Sequence, residues 1–401
     1  MNIAQHTTES ISRLSPHWVS LFLIGALFAA PVSSSAESIF IVLALVFILI
    51  TPDYRAGLRP LLFSPWCLSG FFLFLFSLLG CTWTSASAHD ALVIVGKYSK
   101  LLYLPLFVIG FRDRETRLLA THAFILAMLL TCIISLLKVA HLINYHGEDP
   151  GYVFRNHIMT GYMMAFAAYL CAFLSIKTKG KLGLLYGILT LLFSYQVLFL
   201  GTGRTSYLIY LVLMVLLMWH VFSWRQAVVA GLVVCSLFTV IYHESEIMQH
   251  RAQEAVSDWN AYHHDGEKNT PVGFRLQFHA YAHTLFNRHP WIGNGTSGFS
   301  DTFKREHPVP GWGPVLFEPH SQYWLVAADS GMVGLVLFAL YFGCLFLASA
   351  TKNEARPIAI ALLVSFLLGS LFDSLLLYAG TGYFFLLFMA LCLAEGRFNQ
   401  A

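Results

Sequence analysis

Four residues of this sequence could do chemistry together: His320, Arg155, Arg204 and Arg275. A histidine titrates near neutrality and suits the role of a general base. Arginine stays charged beside an apolar phase, and its planar fork holds phosphate oxygens two at a time. A convergent set of this kind suits a lipid-linked diphosphate as donor and a sugar hydroxyl as nucleophile. Arginine charge on the departing diphosphate then stands in for a divalent cation. The competing use for each arginine is interfacial anchoring, with the stem in lipid and the head in water.

His320 lies at a seam. The stretch from Glu318 to Gly334 begins polar and becomes a hydrophobic run, with Pro319 as a stop and Ser321 and Gln322 at the start of a helix. At about 100° per residue, His320, Trp324, Ala327, Gly331 and Gly334 fall on one stripe, and the small residues admit a second helix closely. That reading puts His320 at the mouth of a tight helix seam. Asp329 falls on the opposite side of this helix, and Lys97, Lys100 and Lys138 are the intramembrane cations that could pair with it in a structural ion pair.

The elements that must position these residues are membrane helices. The 401 residues are 57% hydrophobic and only 11% charged, which excludes an ordinary soluble domain. About twelve runs are long enough to cross or nearly cross a bilayer. They fall at 18–33, 38–50, 66–83, 91–110, 118–140, 158–176, 182–200, 205–222, 226–242, 321–349, 357–372 and 374–394. The fold class expected is an all-α polytopic membrane protein of about 12 transmembrane helices, with one large outer loop containing helices. Its parts are 1–242 with nine helices, the loop at 243–320, and 321–401 with three more. The first run is read as uncleaved, because Glu9 and Arg13 precede it without a small-residue cleavage site.

Alternate short connections carry Arg55 and Arg59, then Arg112, Arg114 and Arg117, then Lys177, Lys179 and Lys181, then Arg225, then Lys352 and Arg356. Arg13 and Arg397 add to the termini. The positive-inside rule therefore puts both termini in the cytoplasm and the long loop outside. Arg155 and Arg204 are exceptions on the outer side. Arg155 follows a polar connection at 145–151 and opens the run Arg155-Asn156-His157; Arg204 sits in the very short connection 201–206.

Within the outer loop, 246–259 reads as a helix and 260–270 as a turn. Phe274, Phe278, Tyr281 and Leu285 then recur at helical spacing, which predicts an amphipathic helix on the membrane face with Arg275 in its first turn. Arg288 opens a glycine-rich stretch, 288–299, whose backbone must fold tightly and reads more readily as a turn than as a phosphate cradle.

Several chemistries fit poorly. Nine of the 17 histidines lie at 243–320, yet the helical pair His279 and His283 has Ala280 where a metalloprotease carries glutamate, so no metal is expected. No Gly-x-Ser-x-Gly elbow is present. All seven cysteines lie in or beside hydrophobic runs, so no disulfide framework holds the loop. The net charge of +3 reflects cytoplasmic anchoring and not a nucleic-acid surface.

The ordered motifs resemble a known family. His320-Ser321, nine residues, then Gly331-Met-Val-Gly334 resembles the signature of the O-antigen ligases, the WaaL family, and Arg288-His-Pro-Trp-Ile-Gly-Asn-Gly-Thr-Ser-Gly-Phe299 is similar to a stretch these share with O-antigen polymerases. The specific motifs lie within 150–334. The resemblance implies glycan transfer from undecaprenyl diphosphate onto lipid A–core oligosaccharide at the periplasmic face of the inner membrane, without metal, nucleotide or other cofactor. It gives His320 the role of acceptor-activating base and Arg204 and Arg275 the diphosphate. Arg155, Asn156 and His157 match a region near the site, with Arg288, Ser321, Gln322, Gly331 and Gly334 in support. The alternatives are an O-antigen polymerase, a protein O-oligosaccharyltransferase and, from another class, a lipid-linked glycan transporter or flippase. A transporter predicts midplane charges or inverted repeats, and here the charges gather at one face.

Overall fold

In the computed structural model the described residues are 3–143, 150–351 and 353–398, with side chains described from residue 16 onward except Asp265. Residues 145–149 of the polar connection expected at 145–151, and the basic side chains of Arg13 and Lys352, lie outside that set. The described residues form helices and turns, with no strand among them. The chain is an all-helical, polytopic membrane protein.

Among the described residues, nine helices are long and apolar enough to cross a membrane, or ten if a bent pair counts as one span. The difference from about twelve has a physical source. The expected run at 357–372 is the 14-residue helix Arg356–Gly369, which at 1.5 Å per residue reaches only part of the way across hydrocarbon, and the run at 18–33 falls on the end of the longer helix Ile3–Ala29. The second expected run is α2 (Ser34–Ile50), which turns by 96° into α3 (Pro52–Leu62), itself opened by Pro52.

The first half continues from α1 (Ile3–Ala29) through α4 (Pro65–Leu79), α5 (Ala88–Tyr98), α6 (Leu104–Gly110), α7 (Arg114–Val139) and α8 (His157–Lys177). α5 and α6 belong to one span broken by a 3₁₀ turn, Ser99–Tyr103, which contains Lys100. Next come α9 (Gly180–Tyr195), α10 (Arg204–Val221) and α11 (Trp224–Glu244). α8 is buried along most of its length, whereas α11 leaves Val229, Leu232, Leu237 and Val240 exposed, the pattern of a helix bathed in lipid.

The long loop is ordered by its own helices, α12 (Glu246–Asn260), α13 (Pro271–Arg288) and α14 (Gly298–Glu306). The apolar face of α13 does not lie on the membrane as expected. Phe278 and Tyr281 meet Phe303 and Phe299 of α14 at 5.9 and 6.0 Å, and His283 meets Trp324 of the following helix, so protein covers that face.

The last third holds α15 (Gln322–Ser349), α16 (Arg356–Gly369) and α17 (Ala379–Phe398). α15 is broken at Gly331, whose φ of 61° and ψ of −156° are essentially restricted to glycine. At Gly331 the expected stripe of small residues admits a loop, while α13 approaches its start at Trp324. Asn294 and Gly295 donate to Ala328 O and Asp329 O at 3.0 and 2.9 Å, and Met332 donates to Pro290 O at 2.8 Å. A Cβ on Gly331 would stand 2.6 Å from the Trp291 carbonyl, so the contact needs hydrogen there. Phe299 N–H also donates to Asp329 Oδ1 at 2.7 Å, in the first turn of α14. Asp329 therefore holds a helix start and is not the partner of the intramembrane lysines. Lys100 and Lys138 donate to backbone carbonyls instead.

Candidate active site

A cavity of about 690 Å³ opens where three helices begin. His157 and Ile158 start α8, Gly203 to Ser206 start α10, and Pro271, Val272, Phe274 and Arg275 start α13; all of them line it. Helix starts present unpaired N–H groups and a partial positive charge, so three of them facing one space favour an anion there. The same cavity is lined by Arg204, Arg275 and His320, and by Arg251 of α12. Phe278 and Trp312 supply an apolar wall, packed edge-on at 5.2 Å.

The arginines are not equivalent. Arg204 faces two carboxylates of α12, Glu254 at 3.8 Å and Asp258 at 4.0 Å, and Glu254 also takes a 2.9 Å bond from Arg251. Burial and then its cationic neighbours Arg251, His250 and Arg204 act on Glu254; the net effect holds its carboxyl below the usual range. Arg275 has no ion-pair partner among the described residues, although it lines the same space. The cavity thus holds one arginine already balanced and one open to an incoming anion.

His320 sits one residue before α15, with a left-handed φ of 55°. A non-glycine residue in that region is uncommon and costs of order 1 kcal/mol, so its surroundings must hold it. Two backbone contacts do so: His320 N–H donates to Glu318 Oε2 at 2.7 Å, and His279 Nε2 stands 3.4 Å from His320 O. The imidazole Nδ1 lies 3.1 Å from Glu318 Oε1 and 3.5 Å from Asp373 Oδ1. Burial by itself lowers the His320 pKa, but Asp373 and Glu318 outweigh it and raise the value above the histidine norm. Glu318 is pushed up in turn by its burial. His279 is pushed down, chiefly by burial.

Glu318 and Asp373 are the residues that sequence reasoning left without a role. Tyr378 donates to Glu318 Oε1 and to Asp373 Oδ1, both at 3.1 Å, and Ser374 Oγ donates to Glu318 Oε2 at 2.6 Å. The ligand atoms of Glu318, His320 and Asp373 all lie within 4.8 Å of one another, a spacing a cation could bridge. Both Glu318 oxygens and Asp373 Oδ1 already accept from protein donors, which fixes these carboxylates beside the imidazole.

Other candidates fall elsewhere. Arg155 is buried, with Nη2 3.1 Å from Glu37 Oε2, its Nε donating to Ala30 O at 3.0 Å and Nη1 donating to Ser34 Oγ. The structure does not bring it to the cavity. Asn156 caps α8 through Met159 N–H at 2.9 Å, which leaves His157 of the same run on the cavity wall. Arg288 is paired with Glu306 at 2.6 Å, Ser321 caps α15, and Gln322 is buried with its N–H on Ser370 O. Gly331 and Gly334 shape α15 away from the cavity lining. The glycine stretch spends its Asn294 and Gly295 N–H groups on α15 and is therefore no phosphate cradle.

Residues 188–339 match the family described as O-Antigen ligase. Over that stretch, 152 of the 401 residues, the chain is similar to this family. That segment runs from α9 into α15 and contains Arg204, Arg275 and His320, but neither Arg155 nor Asp373. No curated protein matches the sequence.

Proposed function

We propose that the protein is an O-antigen ligase that transfers a glycan from undecaprenyl diphosphate to lipid A–core oligosaccharide at the periplasmic face of the inner membrane. The observation that carries this reading is the single cavity that Arg204, Arg275 and His320 share within the family segment. Both termini lie in the cytoplasm, and residues 243–320 form the periplasmic loop over the site.

The donor diphosphate sits among Arg275, Arg204 and the helix starts, and its polyprenyl chain remains in lipid. His320 Nδ1 faces the carboxylates of Glu318 and Asp373 at 3.1 and 3.5 Å, so Nε2 is the nitrogen that takes the proton of the acceptor hydroxyl. The acceptor oxygen forms a bond to C1 of the donor sugar as the C1–oxygen bond to diphosphate breaks. Direct displacement inverts the configuration at C1. The negative charge that develops on undecaprenyl diphosphate is met by arginine and by helix dipoles, which removes the need for a cation. Much of the acceleration comes from holding two amphiphiles together.

Purified protein in detergent, with undecaprenyl-diphosphate-linked glycan and rough lipopolysaccharide in the presence of EDTA, should yield a slower-migrating lipopolysaccharide, and the His320→Ala variant should not. Elongated lipid-linked glycan with unmodified lipopolysaccharide would instead make the protein a polymerase. Loss of product on adding EDTA would overturn the metal-free mechanism.

A further inference from the structure

We propose that Lys100 is a positioning residue for the His320 base, acting through the turn that carries Asp373; this rests on the reading of His320 given above. Lys100 is 2% exposed inside an apolar span, where a charge is expensive unless its hydrogen bonds are made. An ammonium has three donors, and Lys100 Nζ finds three acceptors in one place. It donates to Leu376 O at 2.8 Å, Tyr378 O at 3.1 Å and Leu377 O at 3.4 Å.

Those carbonyls belong to the irregular segment between α16 and α17. Irregular backbone beside lipid needs internal partners, which explains a lysine there. The segment matters because of what it presents to the site. Asp373 stands 3.5 Å from His320 Nδ1, Ser374 donates to Glu318, and Tyr378 bridges Glu318 and Asp373. From the opposite side Gln322 Oε1 accepts Leu376 N–H at 3.1 Å, and Thr381 Oγ1 donates to Leu375 O at 2.6 Å. Lys100 comes from the 3₁₀ break between α5 and α6 and joins neither the cavity lining nor the imidazole. It acts by keeping the two carboxylates on Nδ1.

The test is Lys100→Met, with Lys100→Gln as a second variant that keeps amide donors should the first fail to fold, and Lys100→Arg as rescue. Two readouts are taken on purified full-length protein: the pH profile of transfer, and titration of the His320 ring by nitrogen-15 NMR, assigned by difference from His320→Gln. Charged groups facing His320 are Glu318 beside it, Asp373 from the turn, and Arg275 and His279 from α13. Displacing the turn weakens the carboxylate contacts, so the His320 pKa falls, the acid limb moves to lower pH, and kcat drops about tenfold, within the 10²–10⁴-fold that positioned bases contribute. Simple loss of a cationic charge would move the pKa upward, and a purely structural role would lower the folded yield without moving it. An unmoved or raised His320 pKa in a folded variant overturns the proposal. Wild-type protein without transfer would sink the ligase reading alone, since the NMR titration reports on Lys100 without turnover.

Discussion

His320 Nδ1 stands 3.1 Å from Oε1 of Glu318, its neighbour but one, and the same glutamate accepts the His320 backbone N–H at 2.7 Å. One carboxylate therefore fixes both the ring and the unusual backbone of the residue that bears it. Asp373, more than fifty positions later, approaches the same nitrogen at 3.5 Å. On the proposed mechanism these carboxylates favour the tautomer with its proton on Nδ1, and Nε2 is the nitrogen that serves the acceptor.

This arrangement gives a signed pH dependence. A base must be neutral to accept a proton, so transfer should rise with pH through a His320 pKa that Asp373 and Glu318 hold above normal. Glu318→Gln or Asp373→Asn should move that limb to lower pH and cut kcat about ten- to a hundredfold, since the proton acceptor becomes weaker and less well aimed. Initial rates across pH 5 to 9, as a working range for histidine titration, check this. A limb that stays in place in both variants would dissociate the carboxylates from the base.

The two arginines should respond differently. Arg275 has no ion-pair partner among the described residues, so Arg275→Ala removes donor contacts alone; kcat/KM is expected to fall by about 10²–10³, the scale for a lost charge-stabilising donor. Arg204 must exchange Glu254 and Asp258 for phosphate oxygens. Neutralising one of them, as in Glu254→Gln, should lower the donor KM a few-fold by easing that exchange. An increased donor KM in Glu254→Gln would mean that the carboxylate orients Arg204 instead of competing for it. Lysine at either position should restore only part of the loss, because it lacks the fork.

Sequence alone singled out three of the residues that line the cavity, but not the carboxylates beside His320. Arg204, Arg275 and His320 could be chosen because all three map to the outer side, where arginine and histidine suit a diphosphate and a base as well as they suit anchoring, and the structure brings the three to one cavity. Asp373 was hidden for a plain reason. It is the one residue left between the expected runs 357–372 and 374–394, and nothing local says which histidine it faces. The helical wheel through Gly331 went astray because it assumed an unbroken helix, while φ of 61° ends one segment and starts another. Arg155 had the right residue type and the right helix end, but its buried partner Glu37 lies 118 positions earlier, beyond the reach of any spacing argument.

Gly331 should tolerate no side chain. Gly331→Ala adds backbone strain of about 1–3 kcal/mol and a contact at 2.6 Å with the Trp291 carbonyl, which is backbone and cannot swing aside. Gly293, whose Cβ would meet Asp329 C at 2.3 Å, should behave alike. Thermal unfolding in detergent, followed by the tryptophan signal or by size exclusion after heating, is expected to show a marked drop in both variants. A wild-type melting curve for Gly331→Ala would mean that the break in α15 is not needed.

Arg155 separates structure from catalysis most sharply. Its guanidinium and Glu37 are both buried, at 8% and 0% side-chain exposure, and their contact is 3.1 Å. Removing one member of such a pair strands the other charge in apolar surroundings, at a cost of about 3–5 kcal/mol, whereas replacing both with apolar residues is often close to neutral. Arg155→Met should therefore give little folded protein, with normal donor KM in whatever folds, and Arg155→Met with Glu37→Leu should recover the yield. The expected recovery is partial, because Ala30 O and Ser34 lose their donors as well. If the double variant instead folds well and binds donor poorly, Arg155 reaches the diphosphate in a conformation other than this one. Donor KM measured on the double variant decides between the two.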